Sequence, residues 1–214
     1  MLKIEAEIVE YLIAKWSPEV ILLGGSRAAN EETPSSDWDL YLIGNYSAKD
    51  CVPEQFAGHH LDVEVRPRSD VPGDVFRLFY GPIRSLKVLL DSSDHLGKRI
   101  VEQTRVAYER GPDPKSPEIL DLDRSEMARI ATKILSHSAD PEACFTNLGL
   151  FHRMAVQFWF EKRRRWPLPP RRGLPIIRAE DPDFAKLLRQ LTDDAPIEAK
   201  LKNCTRIQQE IWGT

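Results

Sequence analysis

The order of apolar and polar positions divides the chain before any residue is given a role. Over residues 2–15, Leu2, Ile8, Tyr11, Leu12 and Ile13 fall near helical spacing with Glu5, Glu7 and Glu10 between them, which predicts an amphipathic helix. Ser17 and Pro18 end it, and Val20-Ile21-Leu22-Leu23 follows as a short buried strand closed by Gly24-Gly25. After a small, polar stretch, Asp37-Trp38-Asp39-Leu40-Tyr41-Leu42-Ile43 predicts a second strand, stopped by Gly44-Asn45. Leu61-Asp62-Val63-Glu64-Val65 alternates strictly and predicts a third, and Leu86 to Leu90 predicts a fourth. A helix is expected over 94–110, with Ser92 or Ser93 as its N-cap.

The segment Gly111-Pro112-Asp113-Pro114-Lys115-Ser116-Pro117 concentrates three prolines in seven residues and reads as a linker. Beyond it the strand signals fade. Residues 118–138, 141–165, 182–193 and 196–212 predict helices, interrupted at Pro141, at the WPLPPRRGLP stretch and at Pro196. The chain is therefore expected to hold an α/β unit over 1–112 and a helical unit over 113–214.

Composition narrows the class. With 42% hydrophobic and 29% charged residues, and 5 Trp, 8 Phe and 5 Tyr spread along the chain, disorder and fibrous repeats are excluded. No run nears the length of a membrane span, and the acidic, amphipathic N-terminus does not read as a signal peptide. Cys51, Cys144 and Cys204 share no metal-like spacing, so a reduced, cytoplasmic setting is expected. The net charge of −3 conceals a division: residues 1–110 hold 13 Lys+Arg against 18 Asp+Glu, and residues 111–214 hold 17 against 15. An acidic half precedes a mildly basic one.

The chemistry concentrates in Leu22-Leu23-Gly24-Gly25-Ser26-Arg27-Ala28 and in the Ser36-Asp37-Trp38-Asp39 that follows. A strand ending in two glycines lets the backbone turn sharply and approach a ligand. Ser26 then opens a helical turn, whose free N–H groups and hydroxyl suit a phosphate. Asp37 and Asp39, two apart on a strand, send both carboxylates to one face while Trp38 points into the core. Two carboxylates beside a phosphate cradle suit Mg²⁺, which takes hard oxygen ligands and substrate phosphates. Asp62 and Glu64 repeat the device on the third strand, and either could serve as a third metal-binding acid or as general base.

These residues resemble the nucleotidyltransferase superfamily of DNA polymerase β type. The likeness is greatest to its small bacterial members, the minimal and the antibiotic (kanamycin- or streptomycin-type) nucleotidyltransferases. The matching elements are Gly25-Ser26, Ser36-Asp37-Trp38-Asp39 and Leu61-Asp62-Val63, with Arg27 and Ala28 completing a Gly-Ser-Arg-Ala form. One departure is Asn30, where many members carry a second glycine; Asn tolerates left-handed backbone angles. The resemblance implies an α/β (α+β) fold, a small mixed sheet flanked by helices, followed by a helical bundle on the substrate side. It implies that Gly25, Ser26 and Arg27 bind nucleotide, that Asp37 and Asp39 bind Mg²⁺, and that Asp62 is ligand or base, with Glu64 as the alternate third acid. The expected activity moves a nucleoside monophosphate from an NTP, ATP first among them, to the hydroxyl of an acceptor such as an aminoglycoside-like small molecule.

Two other outcomes fit the same residues: transfer to RNA or protein, as in toxin–antitoxin relatives, and a non-catalytic nucleotide-binding module. Antibiotic-type relatives include dimers with shared sites, so a homodimer falls within what the likeness implies; no membrane partner is expected. Elsewhere, Arg27 either contacts triphosphate or pairs with Glu31 or Glu32. Lys162-Arg163-Arg164-Arg165 with Arg171 and Arg172 is either a solvated helix end or a contact for triphosphate or RNA. Phe151, Met154, Phe158 and Trp159 read as core, and Asp91 as a cap or turn residue.

Overall fold

The computed structural model describes residues 3–78 and 81–213, and the chain divides into two compact units, residues 1–110 and 111–214. The first runs α1 (Lys3–Trp16), β1 (Val20–Leu23), a single turn α2 (Gly25–Ala28), β2 (Trp38–Gly44), β3 (Asp50–Phe56) and β4 (His59–Pro67). It ends with the short β5 (Arg77–Leu78) and β6 (Gly81–Pro82), then β7 (Lys87–Leu90) and α3 (Leu96–Arg110). Five strands form one sheet in the order β3-β4-β2-β1-β7, in which β2 and β4 are parallel and the other pairs antiparallel; β5 and β6 pair separately.

Burial follows the alternation. All four residues of β1 are buried, as its unbroken apolar run demands of an interior strand. Along β2, Trp38, Leu40 and Leu42 pack with Ile8, Val9 and Leu12 of α1. Tyr41 and Ile43 leave the opposite face and pack with Leu96 and Ile100 of α3. The acids Asp39, Asp62 and Glu64 share that second face by strand alternation and register.

Two elements depart from expectation. β3 has no counterpart in the sequence pattern because Pro53 interrupts its alternation. As an edge strand bonded only to β4, it tolerates a residue that cannot donate to the ladder. Asp37 lies one residue ahead of β2 rather than on it, so strand alternation does not by itself set its side chain beside that of Asp39.

The second unit comprises α4 (Pro117–Ser136), α5 (Pro141–Lys162), α6 (Pro170–Glu180), α7 (Pro182–Gln190) and α8 (Ile197–Trp212). Pro117, Pro141, Pro170 and Pro182 each open a helix, where the missing N–H costs nothing; of these, Pro170 lies in a stretch expected only to interrupt the helices. Ser116, Asp140 and Asp181 cap three of these helices by accepting from first-turn amides. α6 occupies the stretch expected to break the helical pattern, and it continues through Pro175. The core gathers Ile130 and Ile134 with Phe151, Phe158 and Trp159, with Met154 packed against its margin. No described helix is long and apolar enough to cross a membrane.

Candidate active site

The site begins where β1 passes into α2. Gly24 donates its N–H to the carbonyl of Asp39 at 2.8 Å, tying the end of β1 to β2. A Cβ on Gly24 would stand 2.6 Å from Cε2 of Tyr41, so the Tyr41 ring lies against this backbone. Gly25 adopts φ +64°, and a Cβ there would fall on Oδ2 of Asp39, 2.7 Å from its Cγ. Both glycines are thus required by same-face side chains of β2, and at Gly25 the left-handed backbone adds a second requirement. The consequence is chemical. The Asp39 carboxylate rests directly against the residue preceding Ser26, at the opening of a turn whose first N–H groups have no intrahelical acceptor.

Register supplies the next acid. β2 and β4 run in parallel with Asp39 opposite Asp62 and Tyr41 opposite Glu64. Asp39, Tyr41, Cys51, Val52, Asp62 and Glu64 line an open cleft of about 380 Å³. The two candidate third acids differ sharply in surroundings. Glu64 is ion-paired to Nε of the buried Arg66, stands 3.3 Å from Nζ of Lys49, and accepts from Sγ of Cys51 at 3.6 Å. Asp62 is exposed, and among the described residues its carboxylate has no hydrogen bond or ion pair. Burial, then the negative charges of Asp39 and Glu64, hold the Tyr41 phenol protonated well above the usual range. Arg66 is held in turn by the face of Phe76, 4.2 Å from its ring centre, and donates to the Arg77 carbonyl at 3.1 Å.

Arg27 pairs with neither Glu31 nor Glu32. Its guanidinium donates to the carbonyls of Asp37 (2.9 Å) and Ser36 (2.6 Å) and lies over the Trp38 ring at 4.3 Å. It therefore clamps the loop that carries Asp37, while Glu31 faces Arg84 at 3.7 Å. The loop is further closed by Thr33, whose N–H donates to the Ser36 hydroxyl at 2.8 Å, and Asn30 takes a left-handed φ of +56°. Asp37 itself is exposed, and among the described residues no group of three His, Cys, Asp or Glu side chains stands close enough to hold a metal ion. The structure brings Asp39 and Asp62 together in register and sets Gly25 against Asp39, while Asp37 is not among the residues lining the cleft.

Sequence reasoning missed Tyr41 and Arg66. Both share the acid face by alternation, the signal that could have found them. The basic run is largely accounted for within its own unit. Lys162 donates to the Glu210 carbonyl (2.6 Å), Arg163 pairs with Asp181 (2.8 Å), Arg164 donates to the Pro112 carbonyl (3.0 Å) and Arg165 pairs with Glu180 (2.7 Å). Asp91 caps, accepting from the N–H of Gly97 at 2.7 Å.

No protein-family model and no curated protein sequence matches the chain. Among solved structures, the fold is similar to that of a nucleotidyltransferase-like protein from Exiguobacterium sibiricum 255-15. That match is 12% identical, covers 97% of this chain and 75% of the other, and superposes with a TM-score of 0.56. At that identity the likeness is one of fold: a mixed α/β sheet unit followed by a helical region.

Proposed function

We propose that the N-terminal unit transfers a nucleoside monophosphate from an NTP, ATP in the first instance, to a hydroxyl acceptor. The observation that carries this is the contact of the Asp39 carboxylate with Gly25, at the turn bearing Ser26, with Asp62 beside it in register. The name of the structural neighbour points the same way.

The acid set suits a hard divalent cation such as Mg²⁺: Asp37, Asp39 and Asp62 offer only oxygen, and among the described residues no cation is ion-paired to Asp62. Asp37 and Asp39 would hold the ion, and its chemistry would be to neutralise charge on the phosphates. The chain's own residues do the rest. Gly25 admits the phosphate backbone closely, Ser26 offers hydroxyl and N–H donors, and Arg27 positions the Asp37 loop through its two carbonyl bonds. Asp62 accepts the proton of the attacking hydroxyl. The acceptor oxygen bonds to the α-phosphorus, the bond from that phosphorus to the bridging oxygen breaks, and pyrophosphate leaves. Glu64, already neutralised by Arg66 and Lys49, is the weaker choice for that role. A cleft bearing Asp39, Asp62 and Glu64 favours an acceptor that is itself cationic, such as an aminoglycoside-like amine.

The test is to incubate the chain with Mg²⁺ and α-labelled NTPs and follow the label into an aminocyclitol panel, total RNA or lysate protein in turn. Transfer that is lost in Asp39→Asn and Asp62→Asn supports the reading, and the labelled class identifies the acceptor. Absence of transfer to all three, with nucleotide binding unaltered by Asp37→Asn and Asp39→Asn, overturns it.

A further inference from the structure

The helical unit contains a second cavity, of about 410 Å³, that the transfer reaction leaves without a role. Three helices build it: His152 comes from α5, Leu174 and Arg178 from α6, and Ala185, Lys186 and Arg189 from α7. Their spacing is helical, with Leu174 and Arg178 four apart and Ala185 and Arg189 four apart, so each helix presents one face to the same space.

The lining holds three cations and no carboxylate. Among the described residues none of Arg178, Lys186 and Arg189 makes a side-chain hydrogen bond or ion pair, whereas Arg163 and Arg165 of the same unit are tied to Asp181 and Glu180. Arg178 and Arg189 lie in the last turns of α6 and α7, where the helix dipole favours a cation. That accounts for their place along each axis. It does not account for both facing one cavity from which acids are missing. Lys186 also borders a neighbouring cleft that carries Asp183 and Glu210, so the two arginines are the cations committed to this one. His152 is half-buried, and burial lowers its pKa, so a neutral ring with hydrogen-bonding nitrogens faces the cavity at neutral pH. Leu174, Pro182 and Ala185 complete an apolar wall.

We propose that this cavity binds a mononucleotide-sized organic phosphate, with Arg178, Arg189 and Lys186 on the phosphate and the apolar wall against the organic part. The volume lies within the range of small-molecule pockets. Arginine supplies planar, forked donors that match phosphate oxygens, and the absence of a competing carboxylate leaves them available. The inference stands apart from the catalytic reading, since it uses no residue of the acidic cleft.

The experiment titrates ATP and, separately, inorganic phosphate into the full chain by calorimetry, with EDTA present so that divalent cations are removed. The expected result is one saturable site for ATP, bound more tightly than inorganic phosphate. Arg178→Gln and Arg189→Gln each weaken it about tenfold, with unchanged circular dichroism. Asp39→Asn keeps the site, because the acidic cleft takes no part. Salt gives a measure that needs no substitution: added NaCl weakens ATP binding to the unsubstituted chain. Absence of saturation up to about 10 mM ATP overturns the proposal, as does affinity indifferent to both arginine substitutions or lost with Asp39→Asn. Inorganic phosphate bound as tightly as ATP overturns the role of the apolar wall and with it the ligand class. An RNA oligomer that binds through the same arginines while ATP does not replaces the small ligand with a polynucleotide.

Discussion

Replacing Gly25 with alanine separates two demands that the structure makes at one position. The first is backbone strain: Gly25 sits at φ +64°, where a residue with a Cβ costs about 1–2 kcal/mol. The second is collision: the new methyl would fall on the Asp39 carboxylate, 2.7 Å from its Cγ and 3.3 Å from its Cβ. Relief requires the carboxylate to swing by more than 1 Å, at a rotamer cost of about 0.5–1.5 kcal/mol. Gly25→Ala should therefore cost about 2–3 kcal/mol in all. In an Asp39→Ala chain chiefly the backbone share should remain, because the two Asp39 atoms nearest the methyl are gone and its Cβ stands at 3.3 Å. The double-mutant cycle should yield a coupling of about 1 kcal/mol, read from urea midpoints of the four chains. Transfer should fall by about 100-fold in Gly25→Ala alone, since a displacement of that size is enough to misplace the carboxylate proposed to hold the divalent cation. A coupling near zero would refute the idea that Gly25 is glycine because of Asp39. Transfer within threefold of the unsubstituted chain would refute the place of that contact in the chemistry.

The third acid can be decided in the same assay: Asp62→Asn should abolish transfer, by about 100-fold or more, and Glu64→Gln should leave most of it. Glu64→Gln should instead destabilise, by about 3 kcal/mol on denaturant unfolding, because it leaves the buried Arg66 without its carboxylate. Arg27→Met keeps the apolar cover of Trp38 but loses two bonds to loop carbonyls; it should cost about 1–2 kcal/mol and speed amide exchange across residues 31–37. In the helical unit, burial lowers the His152 pKa below its ordinary 6.5, so the unfolded chain binds more protons below that value. Stability is then complete above about pH 6.5 and declines as pH falls toward the folded-state value, with Arg178, Lys186 and Arg189 facing the same cavity. Urea midpoints of the unsubstituted chain should drop more between pH 7 and pH 5 than those of His152→Gln.

Much of this could be read from residue order, because the signals were local. Alternation along residues 38–43 and 61–65 set which side chains share a face, and the continuous Val20–Leu23 run marked an interior strand. What escaped depended on partners distant in sequence. Alternation alone makes Asp62 and Glu64 equivalent; only the register with Asp39 and Tyr41, and the cations Lys49 and Arg66 gathered around Glu64, tell them apart. Sequence places Arg27 near the acids Glu31 and Glu32, yet it serves carbonyls nine and ten residues on. Proline misled in both directions. Pro53 concealed β3 because an edge position excuses it, and the WPLPPRRGLP stretch hides the start of α6 at Pro170 because the first-turn exception is positional.

The uncovered half of the acid face bears on whether the site is used. α3 covers the side of the sheet around β1 and β2, while Asp39 and Asp62 open to the cleft. Two carboxylates on adjacent strands, with backbones about 5 Å apart, repel by about 1 kcal/mol or less across water. Around Glu64 the fold meets that cost with Arg66 and Lys49; among the described residues no cation is ion-paired to Asp62. A sheet shaped for stability alone would gain by exchanging Asp62 for asparagine, so the same substitution that abolishes transfer should raise the urea midpoint. Opposite signs in the two measurements separate a functional acid from a structural one, because a carboxylate kept for the fold would lose stability when neutralised.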